Sequence, residues 1–420
     1  MAGRPPGLWR QPEFLKLWAA SAISDIGSQI TVVALPLIAA LTLGASAWEM
    51  GLLSAAGSAP IVLVGLLAGV WVDRVRRRPT LIATDVGRAV LLLAIPLASL
   101  AGALRIEILY AVALLVGVLT VLFDVAYLSF LPSLVERSHL IEGNSKLEAT
   151  SSAAQVAGPG LGGLLVGTLG AAFAVLLDAL SFVVSALFIA GIRVKEVSLA
   201  ADGRAGMMAE ISEGLRVVFT DRILRVLVGC SATSNLFGRM FLAVYVLYMT
   251  RDLGLGPVGV GLVFSTGGVG ALVGALAAQR VTRRFGPGPT MTWAQLLFGL
   301  TGMAVPLAVL VPRVALPMVV ASEFGQWLAV TIYYVNVVSV RQALIPDRLL
   351  GRVNATARFV GGGALPIGAL LGGALGEAIG LPLTLVVAEF GMLLAFLWLY
   401  LSPVRSLREL PTREHPASPS

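Results

Sequence analysis

Twelve apolar runs, each of about the 20 residues that cross the hydrocarbon core of a bilayer, follow one another along this chain with short polar interruptions. They fall at roughly 14–42, 48–72, 80–102, 107–131, 146–170, 173–192, 224–250, 257–279, 289–311, 315–340, 353–378 and 381–402. The pattern predicts an all-α integral membrane protein with twelve transmembrane helices. The longest interruption, about Arg193 to Ile223, interleaves charged and apolar residues from Met207 to Phe219, which predicts an amphipathic helix at the membrane surface. Beyond Ser402 the chain is rich in proline, serine and charge and is expected to be disordered.

Composition agrees with this pattern. With 57% hydrophobic and 13% charged residues and a mean hydropathy of +0.90, little of the chain is left for a soluble domain. The net charge of +7 does not point to nucleic acid, because the basic residues sit in short loops between apolar runs. Of the 30 lysines and arginines, only Arg105, Arg251 and Arg313 lie on the side opposite the amino terminus, and Arg88 and Arg239 fall within spans, leaving 25 on the side of the termini. By the positive-inside rule both termini are cytoplasmic, in a multi-pass protein of the inner (plasma) membrane. The first run is longer than a secretory signal core and is expected to remain as a span. The single cysteine, Cys230, excludes an internal disulfide, and His139 and His415 fall outside the spans. No nucleotide-binding, nucleophile-elbow or zinc-hydrolase motif is present, so neither an enzyme nor a metal or cofactor site is expected.

Near the end of the second span stands Gly69, followed by Asp73, Arg74, Arg76, Arg77 and Arg78. Offset by 206 positions, Ala275, Gln279, Arg280, Arg283 and Arg284 repeat the pattern with an amide for the acid. The chain is therefore read as a duplication: an N-terminal six-helix half at 1–192, a linker at 193–223, a C-terminal six-helix half at 224–402 and a tail at 403–420. A glycine, then Asp-Arg, then paired arginines after the second span resembles the loop signature of the major facilitator superfamily of secondary transporters. Leu131 to Val135 with Gly143 and Asn144, and Ile345 to Asn354, resemble loops of the branch that holds macrolide and siderophore exporters. The resemblance implies two pseudo-symmetric six-helix halves around a central site lined by spans one, four, seven and ten. It also implies that Asp73 latches onto the start of the eleventh span when the cytoplasmic side is closed, with Arg74, Arg77 and Arg78 on neighbouring loops and headgroups.

An ionised side chain at mid-membrane costs at least about 2.5 kcal/mol, so those inside the spans need a reason. Asp25, Asp124, Arg239 and Glu323 fall one each on the first, fourth, seventh and tenth spans. The three carboxylates are candidates for loading and releasing a proton, Asp25 first among them because it lies well inside its span beside Gly27, Ser28 and Gln29. Arg239 keeps its charge and suits a neighbouring carboxylate or an anionic group. Gln29, Phe237, Gln326, Trp327, Tyr333, Tyr334 and Asn336, with Tyr245, are candidates for a mainly apolar pocket with a few polar contacts, although for each taken singly packing is the stronger reading. Asp85 and Arg88, three apart, can pair on one helix face, whereas Asp178 and Glu389 lie on helices expected to be peripheral, and no partner for Glu389 can be named. Gly158, Pro159, Gly160 and Gly163, with Gly361 to Gly373 around Pro366 as their counterpart, resemble the superfamily's antiporter motif, which implies helices that pack closely and bend.

The reading is a monomeric secondary transporter, working by alternating access among membrane lipids, that exchanges protons for a lipophilic or amphiphilic small molecule such as a drug or siderophore. Alternatives are an importer or lysophospholipid flippase of the same fold, and a receptor or scaffold that transports nothing. The duplication predicts unequal loops, because Gln279 is a weaker latch than Asp73. Asp73→Ala is expected to cut transport far more than Gln279→Ala at matched protein amounts, and equal losses in side-by-side flux assays would overturn the asymmetry.

Overall fold

In hydrocarbon, each backbone N–H and C=O must find its partner within its own segment, so every long apolar run of this chain becomes a helix. The computed structural model describes residues 8–72, 75–193 and 207–409, and among them helices account for all regular structure. The spanning helices are α1 (Pro12–Leu37), α2 (Ala47–Leu63), α3 (Arg77–Leu100), α4 (Ile106–Leu134), α5 (Leu140–Leu169) and α6 (Ala171–Ala190), then α7 (Arg222–Arg251), α8 (Pro257–Phe285), α9 (Pro287–Gly302), α10 (Ala315–Leu344), α11 (Asp347–Ile379) and α12 (Leu381–Tyr400). Ten passages are long and apolar enough to cross a membrane on their own. α2, extended past a break at Val64 by Gly65–Val72, and α5, whose first turns carry Glu142, Lys146 and Glu148, complete the twelve. A surface helix, Met207–Thr220, precedes α7, and its Val218 packs with Leu224, Val228, Ile345 and Val353 at the starts of α7 and α11.

Local sequence sets the ends and bends. Ser46 caps α2 by accepting from the Glu49 amide, while Glu49 accepts from the Ser46 amide. α1 loosens into a π turn at Ile38–Thr42, just after Pro36. The same tight turn recurs between α5 and α6, α8 and α9, and α11 and α12, at Gly170, Gly286 and Gly380 with φ of +87°, +85° and +84°. Only glycine adopts that backbone without strain. Arg77 Nη1 donates to Ser129 O at 2.9 Å, and Arg78 donates to the carbonyls of Ile189 and Ala190 at the end of α6, where a cation meets the negative pole of the helix. Asp73 and Arg74 lie outside the described residues.

Two contacts dominate the boundary between residues before and after the surface helix: α2 against α11, and α5 against α8. Both are glycine contacts. A Cβ on Gly51 would lie 2.7 Å from Gly373 Cα, and one on Gly163 would lie 2.8 Å from Gly261 Cα. Gly268 against Val156, Gly167 against Val258 and the Gly160 amide on Ser265 Oγ at 2.7 Å extend the second contact. All of these lie in the half of the bundle away from the chain termini. On the same side, Arg251 at the end of α7 donates to the carbonyls of Gly44 and Ala45 in the α1–α2 turn at 3.0 and 2.7 Å. The bundle is thus sealed on its far side.

The direction of Cβ at Gly167 lies 3.2 Å from Val258 Cγ2, a separation one sulfur spans. Gly167→Cys with Val258→Cys, in a Cys230→Ser background, is expected to give an oxidant-dependent gel shift reversed by reductant. Adding Arg251→Ala should slow the crosslink several-fold. A pair that stays reduced would show that the far side is not held closed.

Candidate functional site

A cavity of about 950 Å³ opens between α2, α4, α7, α10 and α11 in the half of the bundle nearest the termini. Its polar groups arrive from helices on both sides of the glycine contacts. α4 contributes Asp124 and Tyr127, α7 contributes Ser231 and Asn235, α10 contributes Tyr334 and Arg341, and α11 contributes Asn354 and Arg358. Leucine, valine and Phe359 supply most of the remaining wall, the mixture typical of sites for organic ligands. Asn235 Nδ2 donates to Gly361 O at 3.0 Å and ties α7 to α11 beside the cavity. Tyr127 OH accepts from Ser21 Oγ at 2.9 Å and ties α4 to α1.

Of the four charges singled out from the sequence, Asp124 lines this cavity, whereas Asp25, Arg239 and Glu323 do not. Asp25 is half-buried on α1, within electrostatic reach of Asp124. Arg239 is half-buried on α7, and no hydrogen bond or ion pair joins it to another described residue. Glu323 is buried inside the helices that follow the surface helix, where its carboxylate accepts from Tyr245 OH at 3.1 Å and Trp327 Nε1 at 2.9 Å. The aromatic and amide candidates divide in the same way. Tyr334 lines the cavity, but its neighbour Tyr333 turns into the bundle towards Ser231 at 3.4 Å. Asn336 is held by Thr282 and the Ile332 carbonyl, and Gln326 by Ser322. Phe237 packs on Gly391, and Gln29 on Gly158. Trp327 stays 45% exposed away from the cavity.

The glycine motifs have two faces. On α5, Gly158 and Gly162 receive α1 while Gly160 and Gly163 receive α8; on α11, Gly368 and Gly372 receive α7 while Gly362 and Gly373 receive α2. Of the second copy of the loop signature, Gln279, Arg280, Arg283 and Arg284 are exposed near the end of α8.

Sequence reasoning missed Arg341, Asn354 and Arg358. The two arginines lie near the ends of apolar runs, where basic residues ordinarily set topology, and nothing in their spacing distinguishes them from Arg280 or Arg348. Their place on the cavity wall is a tertiary fact.

Nearly the whole chain, residues 6–419, matches the model of a family described as "Transmembrane secretion effector". Multidrug efflux pump Tap of Mycolicibacterium fortuitum is 30% identical over 92% of this chain and 94% of its own length. Enterobactin exporter EntS of Escherichia coli O1:K1 / APEC is 27% identical over 95% and 94%. This chain belongs to the major facilitator superfamily of transporters. Solved structures agree in fold. Nucleoside transporter NupG superposes with a TM-score of 0.75 at 12% identity, over 92% of this chain and 98% of that one. A bacterial homologue of the iron transporter ferroportin, in its inward-facing state, gives 0.71 at 17% identity over 92% and 98%. The protein is thus a multi-pass membrane transporter and not an enzyme.

Within the transporter, other buried charges are occupied by packing. Arg88 pairs with Asp85, which also accepts from Ser185 Oγ at 2.7 Å, and its guanidinium lies 4.3 and 4.1 Å from the ring centres of Phe123 and Phe182. Asp178 on α6 accepts from Thr31 and Ser181, binding α6 to α1. Glu389 on α12 is buried against Gly302, and its Oε2 has no hydrogen-bond partner among the described residues. Removing one member of a buried pair leaves an uncompensated charge at a cost of about 3–5 kcal/mol. Arg88→Met is therefore expected to lower the melting temperature of the purified protein sharply, and Asp85→Asn with Arg88→Met to recover part of the loss. A double variant no more stable than the single one would rule out the pair as a structural unit.

Proposed function

We propose that this transporter exports amphiphilic small molecules across the bacterial inner membrane in exchange for protons, by alternating access. The observation that carries this reading is the cavity itself. It spans the boundary between the helices before and after the surface helix, and it ends at close glycine contacts between backbones. With 25 of 30 basic residues on the side of the termini, that side is cytoplasmic, so the described state is closed outward and has its cavity on the cytoplasmic half. The relatives named as a multidrug pump and an enterobactin exporter support export, and the mixed apolar and charged lining suits molecules that are partly lipophilic.

In this reading the two six-helix halves, 1–192 and 224–402, rock about the α2–α11 and α5–α8 contacts, and the surface helix lies in the linker between them. The protein works as a monomer among its lipids. Asp124, on the cavity wall, and Asp25, within its electrostatic reach, are the leading proton carriers: two carboxylates in range of one another disfavour double ionisation. Glu323, held by Tyr245 and Trp327, is the third candidate. Coupling follows if protonation and substrate favour different conformations.

Counterflow and pH-driven flux in proteoliposomes test this for Asp25→Asn, Asp124→Asn and Glu323→Gln. The true coupling site is expected to lose concentrative transport, by about tenfold or more, while keeping downhill exchange. If all three variants accumulate substrate like the wild type under a pH gradient, the carboxylates are structural and proton exchange is the wrong reading.

A further inference from the structure

The wall of the cavity formed by α10 and α11 carries two guanidinium groups that proton exchange leaves unassigned. Arg341 enters from the last turn of α10, and Arg358 from α11, one turn after Asn354 on the same face. Each is within electrostatic range of the other. The ion pairs found among the described residues are Lys16–Glu13, Arg88–Asp85 and Lys146–Glu142, and none includes either arginine. Asp124 is the acidic group lining the same space, and it stands across the cavity on α4 without an ion pair to them. Arg341 Nε and Asn354 Oδ1 are shielded from solvent and have no hydrogen-bond partner among the described residues. Arg358 is exposed to the cavity and Arg341 partly so; two like charges side by side repel, and the two orphaned buried atoms beside them are costly, because buried polar groups lose water without regaining bonds.

The arrangement becomes favourable once an anion fills it. Guanidinium groups present fixed arrays of donors that match carboxylate and phosphate oxygens, and they tolerate partial dehydration better than an ammonium. We propose that Arg341 and Arg358 form an anion subsite that holds the acidic group of a bound amphiphile, with Asn354 beside it accepting from a neighbouring hydroxyl or amide. The apolar body of the ligand would lie against Tyr334, Val337 and Phe359. The acidic group belongs either to a transported compound or to a lipid headgroup. This assignment rests on the reading of the cavity as the transport site.

The test uses the purified full chain in phosphatidylcholine nanodiscs, with empty discs subtracted. The probes are 1-anilinonaphthalene-8-sulfonate and its uncharged relative N-phenyl-1-naphthylamine. A charge-assisted bond to a guanidinium of about 1.5–3 kcal/mol corresponds to about tenfold or more in affinity. Arg341→Gln and Arg358→Gln should therefore each weaken the sulfonate about tenfold and leave the neutral probe unchanged, and Arg341→Lys should recover part of the loss. Proteins are compared only when monodisperse, and the lysine variant guards against a misfolded glutamine variant. Equal loss of both probes, or no loss of the sulfonate, overturns the subsite. Filling the cavity with Gly361→Trp should abolish binding of both probes; if it abolishes neither, the cavity is not the ligand site and the transport reading falls with the subsite. Adding phosphatidylglycerol to the discs separates the sources, since competition with the sulfonate assigns the anion to a lipid and its absence to a soluble compound.

Discussion

Backbone touching backbone, at Gly51 with Gly373 and at Gly163 with Gly261, is the contact on which the arrangement of the twelve helices depends. No hydrophobic effect drives helices together in lipid, so association comes from close van der Waals approach, which only small residues allow. The same contacts are shallow. Backbone meets backbone there, and the side chains beside it, such as Ile61 on Gly362 and Val258 on Gly167, fill only the gaps the glycines leave, so the helices can separate with little repacking and the seal remains reversible. The polar fastenings across it are correspondingly few: Arg251 on two carbonyls of the α1–α2 turn, Ser265 on the Gly160 amide, and Trp48 N–H on Glu377.

Away from those contacts, the helices are locked by buried polar groups of the opposite character. Asp85, Arg88 and Ser185 bind α3 to α6, with Phe123 of α4 against the guanidinium; Asp178 binds α6 to α1; Glu323 binds α10 to α7 through Tyr245. Each lies wholly before or wholly after the surface helix. A bundle built this way has stiff parts and a softer boundary, because breaking a buried pair costs several kcal/mol while parting the glycine contacts costs dispersion and the few hydrogen bonds named above. Rocking motion would then concentrate at α2–α11 and α5–α8.

The helices were legible because hydrocarbon enforces them: the apolar run predicted at 315–340 appears as Ala315–Leu344, and the amphipathic stretch from Met207 as Met207–Thr220. Breaks within runs were less so. The interruption of α2 at Val64, four residues after Pro60, and the end of α9 at Gly302, where Glu389 packs, fall inside runs whose apolar character continues. The cavity wall was the hardest to read. Every face of a spanning helix is apolar, so periodicity does not say which face borders a space. Tyr333 and Tyr334 are adjacent, yet one is buried in the bundle and the other lines the cavity. The heuristic of one charge per central helix selected Glu323, which structure assigns to a hydrogen-bonded cluster, and passed over Arg341 and Arg358, whose positions near span ends looked topological.

The electrostatics of the cavity tie these features together. Asp124 belongs to the helices before the surface helix, Arg341 and Arg358 to those after it, and they face one another across about 950 Å³ of space. Any motion that closes this side of the bundle shortens the distance between opposite charges and expels water from between them, so that their Coulomb energy rises. An anionic ligand between the arginines weakens that attraction, and so does a proton on Asp124. Ligand and proton would therefore act on the same charge balance, and each would shift the conformational equilibrium only by its differential affinity for the open and closed forms. Coupling of this kind requires no relay between distant sites, because both participants would occupy opposite walls of one cavity.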